Sequence, residues 1–175
     1  RDTFYVMGVD VGRLNCPTEI VIIESSPART TGVNDKKIVN IFTLSESHFE
    51  YQAIRIKQLF NAFKCEAIVL DANGLGVGLL DYLITDQNDP ETDELLPNMG
   101  IINLDDIPNE QDRKNYKSFE NENTIKNAIW MMKANAPMNT ELYSYTQTQL
   151  RNGKLKFLID SNTAKNKLLQ QAQGK

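Results

Sequence analysis

The chain has 175 residues, 41% of them apolar, and a formal net charge of −4. This is the profile of a single globular domain, residues 1–175, with enough apolar content for a sizeable core. No apolar run reaches membrane-spanning length and no signal-peptide pattern opens the chain, so it reads as intracellular with no membrane partner; Cys16 and Cys65 lack CxxC spacing and His48 is the single histidine, which gives no support to a Cys/His zinc site and disfavours a disulfide.

In chain order, residues 4–11, 19–24 and 37–44 are rich in Val, Ile and Phe and are separated by Gly, Pro, Asn, Ser and Asp. They predict three strands whose short connections make an antiparallel meander. Residues 48–64 carry Phe49, Ala53, Ile56, Phe60 and Phe63 at the spacing of one buried helix face, with His48 at the helix start as a capping or surface residue. Residues 66–71 return as a strand, and 75–84 form a second helix after a glycine-rich turn. A strand entered through a helix can pair parallel with the first strand. Residues 85–98 are polar and acidic and predict a surface loop. Residues 100–104 predict a short strand, and 105–122 an irregular or loosely helical excursion. A helix is predicted over 123–135, with Ile125, Ile129, Trp130 and Met132 on its apolar side and Pro137 as its stop. A further helix over 140–151 ends at Asn152-Gly153, 154–159 is extended, and 163–173 is helical.

Two carboxylates stand where apolar strands end, in Val9-Asp10-Val-Gly12 and Val69-Leu-Asp71-Ala-Asn-Gly74. If those strands are parallel neighbours, about 4.8 Å apart, both carboxylates reach one rim of the sheet, where sites form in open α/β sheets. Like charges so close call for a counter-ion, and hard oxygen ligands favour magnesium, manganese or calcium. An Asp after a strand is also a common turn former or helix cap.

Gly74-Leu-Gly76-Val-Gly78 follows a strand and opens a helix, the setting of a phosphate-cradling loop. However, Leu79 stands where a dinucleotide fingerprint needs glycine, and no Walker lysine follows. A tight turn with close helix packing is the default reading. Charge is distributed unevenly. Acids dominate 86–122, whereas from Asn123 onward Lys126, Lys133, Arg151, Lys154, Lys156, Lys165, Lys167 and Lys175 face only Glu141 and Asp160. A basic C-terminal third suits a phosphate backbone, and a solvated lysine surface accounts for it equally well.

Together, Met7-Gly-Val-Asp10-Val-Gly-Arg13, Cys16-Pro-Thr18, Ile20-Val-Ile-Ile23 and Asp71-Ala-Asn-Gly74-Leu-Gly76-Val-Gly78 resemble the first strand pair and second acidic motif of the nuclease domain of tailed-phage terminase large subunits. Residues 123–130, Asn152-Gly-Lys-Leu-Lys-Phe-Leu158 and the 164–169 segment resemble the tail of such domains, so the likeness spans roughly residues 4–172. The resemblance implies an α/β fold of the ribonuclease H-like kind, with a mixed five-stranded sheet in the order 3-2-1-4-5 flanked by helices. It implies a phage protein of the host cytoplasm that cuts concatemeric double-stranded DNA with two Mg2+ or Mn2+ ions. Asp10 would bridge both ions and Asp71 would hold one. DNA would be met by Arg13, Lys154, Lys156, Lys165 and Lys167, and the portal protein and small terminase subunit would be partners.

The departures are specific. The family's third acid lies on a later helix that this sequence does not reach. Asp160 falls too early to replace it, and Asp81 lies within the second helix. The packaging ATPase is also absent, so the chain reads as an excised nuclease domain. Competing readings are a junction-resolvase-type nuclease and a non-catalytic DNA- or portal-docking module. A further one is an ATP-binding half-domain, since Asp10-Val-Gly12 is similar to the first phosphate loop of actin-like ATPases.

Overall fold

The computed structural model describes residues 3–12, 16–28, 32–45, 48–72 and 74–158. Three long strands open the chain: β1 (Phe4–Asp10), β2 (Thr18–Ser26) and β3 (Asp35–Leu44). β1 pairs antiparallel with β2, and β2 with β3. This is the predicted meander. Helix α1 (Phe49–Phe63) then carries the chain across one face and returns it as β4 (Cys65–Asp71), which lies parallel to β1.

Alternation explains the core. Met7 and Val9 of β1, Ile20 and Ile22 of β2 and Ile68 and Leu70 of β4 are buried on one face of the sheet. They form one cluster with Ala53, Ile56, Leu59 and Phe60 of α1 and Leu79, Leu80 and Leu83 of α2 (Leu75–Leu83). Lys64, in the left-handed region at φ 52°, caps α1 with its backbone N–H on the Phe60 and Asn61 carbonyls.

The segment predicted as a surface loop is tied down. It contains a small hairpin, β5 (Gln87–Asn88) and β6 (Leu95–Leu96). The ammonium of Lys57, buried in α1, donates to the carbonyls of Thr85 at 2.6 Å and Leu96 at 3.3 Å. Gln58 Nε2 reaches Asp89 Oδ2 at 2.7 Å, and Asp86 Oδ1 accepts from the Asn98 N–H at 2.8 Å. The acids here therefore organise turns. After β7 (Met99–Ile101), a 3-10 turn (Leu104–Asp106) and α3 (Glu110–Ser118) occupy the stretch read as irregular or loosely helical. Asn109 caps α3 by accepting from the Gln111 and Asp112 N–H groups.

The helix predicted over 123–135 is not formed. Ile125–Met132 is a strand, β8, inserted between β7 and β4 and parallel to both. The cause of the misreading is a bulge. Ile125 and Ile129, four residues apart, pair with Met99 and Ile101, two apart, and Asn127 between them takes φ 54°. The bulge thus places inward residues at helical spacing. Pro137 does not stop a helix but sits in the first turn of one, α4 (Ala136–Arg151), where its missing N–H costs nothing. Asn135 Oδ1 caps that helix, and Asn152 with Gly153 at φ 66° ends it. β9 (Leu155–Lys156) then pairs parallel with β3.

The main sheet thus has seven strands, ordered β7-β8-β4-β1-β2-β3-β9, rather than the predicted five. Its run β3-β2-β1-β4 keeps the predicted neighbours, whereas β8, from the stretch predicted as a helix, stands between β4 and β7, and β9 adds a strand at the other edge. The fold is α/β, with a mixed sheet flanked by helices. No helix among the described residues is long and apolar enough to cross a membrane.

Candidate acidic site at the sheet rim

Asp10 and Asp71 each end a strand one residue beyond the Val9–Leu70 pair of the parallel β1–β4 ladder. Their Cα atoms are therefore about 5 Å apart, the spacing of adjacent strands. Val9 and Leu70 point into the core, so Asp10 and Asp71 leave the opposite face. Asp10 is exposed and Asp71 half-buried. Both line one open hollow, floored by Gly8, Val21 and Val69. Gly8 keeps the floor low by having no side chain where a Cβ would stand in open space.

Glu19 lines the same hollow. It is the cross-strand partner of Asp10 on β2, a relationship that only the hairpin register discloses and that sequence spacing alone did not flag. Its carboxylate leans toward β3, where both oxygens accept from Thr43 Oγ1, at 3.1 and 2.9 Å. No cationic side chain is among the described residues lining the hollow.

The backbone around the two aspartates is held from beneath. Thr18 Oγ1 accepts from the Gly12 N–H at 2.9 Å and donates to Gln52 Oε1 at 2.7 Å, while Gln52 Nε2 reaches the Gly12 carbonyl at 3.5 Å. Thr18 and Gln52 are fully buried. Gly12 has no room for a side chain, since a Cβ would stand 2.1 Å from the Pro17 carbonyl oxygen. The glycines after Asp71 likewise serve packing. Gly74 takes φ 56°, and Gly76 lets α2 approach the end of β4.

Other residues singled out from the sequence fall elsewhere. Lys154 and Lys156 lie at the β9 edge, beside the Lys36–Lys37 start of β3. That is three strand spacings across and about five residues along from Asp10, roughly 20 Å in all. Lys156 is exposed, but Lys154 Nζ is bound to Asp35 Oδ1 at 2.8 Å. That ammonium, chiefly by direct hydrogen bonding, holds the Asp35 carboxyl below the usual carboxylate range. Asp81 is exposed on α2, and His48 is exposed at the N-cap position of α1 with no side-chain cap hydrogen bond. Arg13, Asp160, Lys165, Lys167 and the predicted helix over 163–173 lie outside the described residues.

Carboxylate oxygens at one rim are the donor chemistry of a hard divalent cation, and Asp10 with Asp71 are the pair that could hold one. Of the three acids lining the hollow, Glu19 is engaged by Thr43. No group of three or more His, Cys, Asp or Glu among the described residues is arranged to hold a metal ion. In comparison with known proteins, no family model and no curated sequence matches the chain.

Proposed function

We propose that the chain is a metal-dependent DNA endonuclease domain, ribonuclease H-like in fold and of the kind found in tailed-phage terminases. The observation that carries this reading is the placement of Asp10 and Asp71 at the ends of neighbouring parallel strands, lining one hollow. The antiparallel meander β3-β2-β1 followed by the parallel β1–β4 pair supports this reading.

In this reading Asp10 and Asp71 hold Mg2+ or Mn2+, whose chemistry when bound is activation of water and charge relief at the leaving oxygen. Asp10, the more exposed of the two, faces the open side from which a phosphodiester approaches. The buried Thr18–Gln52 pair keeps the backbone after Asp10 in place, which lowers the cost of ordering this part of the site on binding. Cutting within double-stranded DNA, with the portal protein and small terminase subunit as partners, belongs to the same proposal.

The test is manganese-dependent nicking of supercoiled plasmid by the protein and by Asp10→Asn and Asp71→Asn. Each substitution removes a charged ligand but keeps its volume, and each is expected to lower nicking at least about a hundredfold, as loss of a principal charge-stabilising group does. Nicking by either variant at the parent rate would remove the assigned role. A second reading, a non-catalytic DNA- or portal-docking module, is favoured by one observation: among the described residues no group of three or more His, Cys, Asp or Glu is arranged to hold a metal ion. Retained DNA binding with no manganese uptake in calorimetry would select it.

A further inference from the structure

Trp130 is the sole tryptophan of the chain. Although its strand lies between β4 and β7, it is 45% exposed. It pairs in register with Val69, while Met132 pairs with Asp71. Trp130, Met132 and Asp71 therefore leave the sheet on the same face. Trp130, Met132 and Met138 line a second cavity, which Lys133 and Asp106 also border. Met132 lines the carboxylate hollow as well, so the two cavities share a wall. From strand spacing and rise, the Cα atoms of Trp130 and Asp71 are about 8 Å apart. That is roughly two to three nucleotides at the stacked rise of 3.4 Å.

The walls of this second cavity are fixed. Asn103 donates to the Met131 carbonyl and accepts from the Met131 N–H, both at 2.9 Å, and so holds the outer edge of β8. The Asn135 cap at 2.9 Å on the Met138 N–H sets the first turn of α4 beside it. The result is an indole beside three methionines, Ile107 and Pro108, with one ammonium and one carboxylate at the border. A flat ring with a polar edge and a phosphate next to it matches those groups. Lys133 is the only cation among the described residues lining either cavity. A purely apolar protein plug would use neither Lys133 nor Asp106.

Resting on the nuclease reading, the geometry points to Trp130 as a stacking platform for an unpaired base of the DNA strand held at Asp10 and Asp71. Lys133 meets a neighbouring phosphate. A duplex keeps its base faces inside the stack, whereas a single strand offers them to aromatic side chains. The platform therefore engages one strand of the double-stranded substrate where it is frayed or melted at the cut.

The test uses a 12-nucleotide oligothymidine and a 12-base-pair duplex, with calcium in the buffer. Fluorescence of Trp130 is expected to be quenched by the single strand and little changed by the duplex. By anisotropy, Trp130→Ala should bind the single strand at least about fivefold more weakly, the scale of one lost base stack. Its duplex affinity should change by less than about twofold, and Trp130→Phe should keep most of the single-strand affinity. Unquenched tryptophan at saturating oligothymidine, equal loss on both substrates, or no binding of the single strand would overturn the inference. The plasmid-nicking result with Asp10→Asn stands apart. Aspartate-dependent nicking without quenching rejects this platform and leaves the nuclease reading intact. Quenching without aspartate-dependent nicking does the reverse.

Discussion

Gly76 stands so close to the end of β4 that a Cβ there would meet the Asp71 carbonyl oxygen at 1.8 Å. The first turn of α2 is thereby seated directly against the backbone that carries one candidate ligand. Both partners of this contact are main chain, so rotamer changes cannot relieve it.

Gly76→Ala is accordingly expected to push α2 away from β4, at a cost of about 1–3 kcal/mol typical of overpacking. Thermal melting should report the loss. Metal-dependent nicking should fall with it, because Asp71 moves with its carbonyl. An unchanged melting temperature would show that the junction relaxes freely.

The buried Thr18–Gln52–Gly12 network makes a second prediction. Thr18→Val keeps the shape of the side chain but leaves the Gly12 N–H and the Gln52 carbonyl oxygen without their buried partner. The expected cost is about 1–3 kcal/mol, read in urea denaturation, together with faster hydrogen exchange at the Gly12 amide. A stability change under about 0.5 kcal/mol, the usual scale of a neutral surface substitution, would mean that the network does not hold the loop after Asp10.

Burial lowers the Lys57 ammonium to about 8 from 10.5, and Asp86 only partly opposes the shift. Between those two values the unfolded chain binds more protons than the folded one, so this residue makes stability rise with pH. The full span amounts to something on the order of 3 kcal/mol. Cys65, whose thiol burial pushes up to about 11, acts in the opposite direction and is present in both proteins of the comparison. The stability difference between the parent and Lys57→Met should therefore widen in favour of the parent from pH 8 to pH 10. A difference that stays flat would dissociate Lys57 from this pH dependence.

Asp35 works on the acid side. Its carboxyl is held low by the Lys154 hydrogen bond first, and by the charges of Lys154, Lys156 and Lys36. That contribution is present above the ordinary carboxylate pKa and is lost as pH falls through the lowered one. Lys154→Met should therefore move the acid-unfolding midpoint to higher pH. It should also speed exchange of the Lys36 amide, which donates to the Lys154 carbonyl at 2.7 Å. Because the pair is partly exposed, the shift should shrink as salt is added. A salt-independent midpoint would exclude the ion pair as its cause.

Much of this architecture was legible from the chain itself. The meander and the first crossover carry clean periods, two residues in β1 to β4 and about 3.6 in α1, because each buries one face against the same core. The nearness of Asp10 and Asp71 followed from those elements, since a strand reached through a helix returns parallel to an earlier one. Where local pattern and environment diverge, the reading failed. β8 is flanked by strands on both sides, and its bulge at Asn127 imitates helical spacing. Pro137 reads the same whether it stops one helix or starts another. Residues 85–98 look like solvent-facing loop until Lys57 and Gln58 are seen to hold them.

Sequence alone determined the strands and helices whose periodicity is local, and the two acids at the ends of two of those strands. Tertiary structure decided which residues meet across strands. It set Glu19 opposite Asp10, Met132 beside Asp71 and Trp130 on their face, and it placed Lys154 and Lys156 at the far edge. The reason is physical: cross-strand neighbours are chosen by register and by the order in which strands join the sheet. Both are set by long-range hydrogen bonding and core packing, and neither leaves a periodic mark along the chain.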